Sequence, residues 1–144
     1  MATQAFDQQS FTQAIQDNDT VIVDFWADWC GPCKRFAPVF DKASDNHPDV
    51  VFGKVDTEDQ RALAGGLGIQ SIPTLMAFRG GYLVYREAGA MSGPQFEELL
   101  KAVKGLDIEK LKEQAAVEPE ASEVCHAGGF VPRAGDKFVE NGLY

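Results

Sequence analysis

The sequence predicts an α/β fold: a mixed central β-sheet flanked by helices, with a C-terminal extension. Three observations carry this expectation. Residues 21–26 and 50–55 are short, nearly continuous β-prone runs, the pattern of strands buried on both faces. Between them Phe36, Val39, Phe40 and Ala43 recur at helical spacing, which makes a parallel β-α-β start. Then residues 74–78 and 82–85 flank Arg79-Gly80-Gly81, a tight turn between antiparallel strands, before a closing amphipathic helix.

In chain order, Ser10 with Gln13 reads as a capping box for a short helix that buries Phe11, Ala14 and Ile15. The first buried strand follows at 21–26. The helix after it contains Pro38, which is expected to kink it. A weak helix spans residues 60–67, with Gly65-Gly66 fraying its end. Ser92 with Gln95 is a second capping box, and Phe96, Leu99, Leu100 and Val103 form the apolar stripe behind it. From Val21 onward the order is β-α-β-α-β-β-α, a mixed sheet with helices on both faces.

Residues 1–104 form the expected domain, and 105–115 a helical extension. Residues 116–144 read as an acidic linker and short tail. Glu113, Glu118, Glu120 and Glu123 fall in a stretch with no basic residue and with Pro119. The end, from Gly128-Gly129-Phe130-Val131 through Ala134-Gly135-Asp136 to Phe138-Val139, suggests a β-hairpin too small to make its own core.

Composition narrows the function. A length of 144 residues predicts one domain with an appendage, and 44% hydrophobic residues supply a core. The net charge of −9 argues against nucleic acid and against anionic membrane surfaces, both of which need clustered Lys and Arg. No basic region precedes an apolar run at the start, and no stretch approaches the roughly 20 apolar residues of a membrane span. A cytoplasmic protein is expected. Its three cysteines, two of them two residues apart, fit redox chemistry or half a metal site better than a disulfide scaffold.

The segment Trp29-Cys30-Gly31-Pro32-Cys33 resembles the thioredoxin active site. So does its context: Asp24-Phe25-Trp26 upstream, Ser71-Ile72-Pro73-Thr74 downstream, Gly81 in the hairpin, and Gly89-Ala90 before the last helix. The resemblance covers roughly residues 5–104. It implies the thioredoxin fold and a protein disulfide reductase acting through a redox-active Cys30–Cys33 pair. The implied partners are a thioredoxin reductase and disulfide-containing proteins; the implied state is a monomer without metal or other cofactor.

The residue types suit that chemistry. Exchange begins with a thiolate attacking a sulfur, and a helix N-terminus favours the negative charge. Cys30, at the helix start, is the expected exposed nucleophile. Cys33, one turn later, is the expected resolving thiol. Asp24, between Val23 and Phe25 on an apolar strand, is expected to be enclosed, with a raised pKa suited to exchange a proton with Cys33. Lys54 matches the position where the family pairs a lysine with that aspartate, and Pro73 resembles the family's cis-proline facing the cysteines. Trp29, Gly31, Pro32, Ile72, Gly89 and Ala90 would form an apolar docking patch, with Ile72 and Pro73 offering backbone groups to a substrate strand. Trp26 is expected as a core aromatic beneath the site.

Besides an oxidant or isomerase, which Gly31-Pro32 in the motif and the missing signal peptide weaken, two rival readings compete. Cys30, Cys33, Cys125 and His126 supply four possible zinc ligands, but the adjacency of Cys125 and His126 and the absence of a second C-x-x-C count against this. The other rival is a specialised redox sensor or interaction module. In that reading the tail docks on the domain, and Cys125 regulates access to Cys30.

Overall fold

A computed structural model describes residues 3–116, 125–126 and 129–130. Its strands are β1 (Thr3–Ala5), β2 (Thr20–Trp26), β3 (Val51–Asp56), β4 (Thr74–Arg79) and β5 (Tyr82–Ala88). The helices are α1 (Gln8–Asp17), α2 (Gly31–Asn46), α3 (Arg61–Gly66), α4 (Gly93–Lys104) and α5 (Ile108–Ala116). The sheet order is β1-β3-β2-β4-β5. Strand β3 runs parallel to β1 and β2, whereas β4 is antiparallel to both β2 and β5. The mixed sheet read from the sequence is therefore the observed one.

Strand β2 sits at the centre, buried from Thr20 to Phe25. Side chains alternate across a strand, so β2 feeds two cores. Val21, Val23 and Phe25 join Phe11 and Ile15 of α1 and Leu63 of α3 on one face. Ile22 joins Phe36 and Phe40 of α2 and Phe96 and Leu100 of α4 on the other. The second core is strongly aromatic: the Phe36, Phe40 and Phe52 rings lie 5.2, 5.8 and 6.3 Å from that of Phe96. Centroid separations of this size are the favourable range for aromatic pairs.

Several local expectations need correction. Strand β1 was not read from the sequence. It leads into Phe6, whose ring lies so close over Gly53 of β3 that a Cβ there would collide with it. Helix α1 begins one turn earlier than expected: Asp7, not Ser10, is its N-cap. The Asp7 carboxylate accepts the Ser10 N–H at 2.8 Å, and Ser10 Oγ accepts the Asp7 N–H at 2.9 Å. Aspartate caps as well as serine, and here it closes a box whose third residue is Ser10 instead of Gln13. Gln13 donates to Asp17. Helix α2 runs from Gly31 to Asn46 with Pro38 inside it, as read. The Ser92–Gln95 box caps α4 as read.

Helix α5 starts after Asp107, whose Oδ1 accepts the Glu109 N–H at 2.9 Å. Its first residue, Ile108, packs on Gly80 in the β4–β5 turn, and Arg79 donates to the Leu106 carbonyl at 3.1 Å and to Thr20 at 2.6 Å. The extension thus docks at the end of the sheet where β2 begins and β4 finishes. Farther on, Cys125–His126 pairs antiparallel with Gly129–Phe130 as a two-residue ribbon. The expected turn at Ala134-Gly135-Asp136 lies outside the described residues, as do Val131, Phe138 and Val139.

Candidate active site

The site lies at the opposite end of the sheet, where β2 ends and α2 begins. Cys30 and Cys33 are joined by a disulfide, with Cα atoms 5.3 Å apart. Cys30 is the N-cap of α2, and its Sγ accepts the Cys33 N–H at 3.2 Å. Pro32 at the start of α2 fits, because its missing N–H needs no partner there. A negative sulfur at Cys30 would meet an aligned N–H and the positive end of the helix dipole. Cys30 Sγ also lies 3.7 Å from the Ile72 carbonyl oxygen.

The expected exposure difference between the cysteines is not present. Cys30 is 4% exposed and Cys33 3%. What separates them is position: Cys30 Sγ is at the helix tip, whereas Cys33 is among the inward-facing residues of α2 with Phe36 and Phe40.

Asp24 is 1% exposed. On β2 it follows Ile22 by two residues, so it lies on the face covered by α2, the face to which Cys33 also turns. Its register partners are Lys54 of β3 and Leu75 of β4. Among the described residues neither carboxylate oxygen has a hydrogen-bond partner. Burial pushes the Asp24 carboxyl up to about 7; the Lys54 ammonium pulls it down, and Asp41 adds to the rise. Asp41 was not singled out from the sequence, although it follows Cys33 by about two turns of the same helix. Lys54 is partly buried, with Nζ 5.0 Å from the centre of the Trp26 ring. Trp26 is accordingly a half-buried platform for Lys54 and not the enclosed core aromatic expected.

The Ile72–Pro73 bond is cis. Pro73 is buried, and its carbonyl already accepts the Gly89 N–H at 2.8 Å. Of the two residues expected to offer backbone groups, only Ile72 has its carbonyl beside the disulfide. Gly89 has φ of 115°, which favours glycine. Around the disulfide, Trp29 is 69% exposed, Gly31, Pro32, Gly89 and Ala90 are exposed, and Ile72 is half-buried. The structure brings these residues to one end of the sheet, together with Asp24 and Lys54. Cys125 is in the ribbon, and its side chain lies outside the described residues. Among the described residues, no three His, Cys, Asp or Glu side chains converge as metal ligands, and no helix is long and apolar enough to cross a membrane.

Comparison with known proteins adds a family. The thioredoxin family profile matches residues 2–105. A provisionally named thioredoxin 2 of Streptomyces coelicolor is 44% identical over 109 residues, covering 76% of this chain and 81% of its own. Thioredoxin of Alicyclobacillus acidocaldarius is 40% identical over 103 residues, 71% of this chain and 98% of its own. Among solved structures, Malassezia sympodialis thioredoxin superposes with a TM-score of 0.64 at 33% identity, covering 72% of this chain and 94% of that one. A point mutant of Halobacterium salinarum thioredoxin gives 0.68 at 30% identity, with coverages of 73% and 93%.

Proposed function

Because the chain belongs to the thioredoxin family, and so to the dithiol–disulfide oxidoreductases, we propose that it reduces disulfides in other proteins and is itself re-reduced by a thioredoxin reductase. The observation that carries this is the disulfide at the tip of α2 beneath an exposed apolar rim. The redox group is the cysteine pair itself. We place the protein in the cytoplasm as a monomer.

The proposed cycle balances in two steps. The Cys30 thiolate attacks one sulfur of the substrate disulfide, forms a mixed disulfide and releases a substrate thiolate. Cys33 then passes its proton to the Asp24 carboxylate and attacks Cys30 Sγ. The Cys30–Cys33 disulfide forms, and the second substrate sulfur leaves as a thiolate that takes up a proton. Two electrons have moved from the pair to the substrate. A carboxyl with a pKa about 7 suits this transfer, because it can both take and return a proton near neutral pH. Lys54 modulates Asp24 from the adjacent strand. Trp29, Gly31, Pro32, Ile72, Gly89 and Ala90 receive the partner, and buried Pro73 holds Ile72 beside Cys30.

The experiment is insulin reduction coupled to NADPH through a thioredoxin reductase. The full chain should turn over, and Cys30→Ser should fall to background. Turnover by Cys30→Ser at the parent rate would reject the proposal.

A further inference from the structure

Helix α2 has no acidic residue in its first turn, and two cations, Lys34 and Arg35, follow Cys33 directly. Positive charge near a helix N-terminus opposes the dipole, so the arrangement carries a local cost. Both side chains are exposed. Three other described arginines each donate to an acceptor within the chain. Arg61 bonds Glu58, Arg79 bonds Leu106 and Thr20, and Arg86 bonds the Gly68 carbonyl. Arg35, among the described residues, donates to none and enters no ion pair. The chain does not lack carboxylates, with 22 Asp and Glu against 13 Lys and Arg.

The direction of Arg35 suggests its use. A helical side chain leans toward the N-terminus, so residue 35 lies over residue 31. A Cβ at Gly31 would stand 3.6 Å from Arg35 Nη1. The unpaired guanidinium therefore sits over the residue next to Cys30, within the exposed strip of Trp29, Gly31 and Pro32. We propose that Arg35 is a specificity residue that binds a carboxylate beside the partner's reactive cysteine. This rests on the disulfide-exchange reading above and narrows its substrate class to disulfides flanked by Asp or Glu. The planar guanidinium can donate two parallel hydrogen bonds to one carboxylate, which Lys34 cannot.

The test uses two synthetic disulfide peptides that differ only in Glu or Gln beside the reactive cysteine. Second-order reduction rates are measured with the reduced full chain, Arg35→Gln and Arg35→Lys, at low and high salt. The parent should prefer the Glu peptide by about three- to fivefold at low salt, the scale of an exposed ion pair, and less at high salt. Arg35→Gln should abolish the preference, and Arg35→Lys should retain part of it. Absence of a preference in the parent overturns the proposal. So does an equal loss on both peptides in Arg35→Gln with a raised Cys30 thiol pKa, which would assign the cation to the thiolate. Failure of the parent to reduce either peptide would instead sink the exchange reading, and charge selection with it.

Discussion

Burial of Asp24 ties the stability of the protein to pH through one proton. Its folded pKa, about 7, lies above the ordinary value of 3.8. Between these values the folded protein holds a proton that the unfolded chain has lost. Asp24 therefore makes stability fall as pH rises from about 4 to about 7, with no further change above. Asp24→Asn should match the parent near pH 4 and exceed it above pH 7, by at most on the order of 4 kcal/mol. Urea titrations at several pH values check this, and a constant difference would contradict it. The same substitution removes the proposed base for Cys33. Resolution of the mixed disulfide should slow about tenfold near pH 7, while the first attack changes little. Stopped-flow measurement of both steps tests that separation. At this scale the sequence was informative where chemistry and patterning agree, as at Asp24 in an apolar run. It was silent on the equal burial of the two cysteines and on Gly89 occupying the Pro73 carbonyl, because both depend on how distant segments meet.

At the scale of elements, the strongly periodic segments were legible: β2, β3, the hairpin and the three longest helices. Strand β1 was not, because Thr-Gln-Ala has no apolar alternation and exists by pairing with β3. The start of α1 was misplaced because Asp7 and Ser10 are both good caps. Helix α5 is held by a contact no periodicity encodes, Ile108 on Gly80. Gly80 has φ of 62°, and an added Cβ would stand 2.6 Å from Ile108 Cγ2. Gly80→Ala should thus destabilise the protein by about 1–3 kcal/mol. Part of that loss should be recovered in the Gly80→Ala, Ile108→Ala double variant, as a double-mutant cycle by chemical denaturation would show. Additive effects would mean that Ile108 does not press on this turn.

For the whole molecule, the two ends of the sheet divide the work. The disulfide, Asp24 and the apolar rim lie at one end, while Arg79, Gly80 and α5 close the other. Every buried hydrophobic side chain among the described residues falls between Phe6 and Val103. A chain ending at Ala116 keeps all of these side chains and should therefore unfold in one calorimetric transition. A large fall in calorimetric midpoint would show that later residues complete a core. In the proposed cycle Cys30 attacks and Cys33 resolves. The most direct measurement is mass-spectrometric mapping of the mixed disulfide trapped on a disulfide peptide by Cys33→Ser and by Cys30→Ser. Cys33→Ser should hold a stable adduct through Cys30, and Cys30→Ser should hold none. A stable adduct through Cys33 in Cys30→Ser, with none in Cys33→Ser, would contradict it.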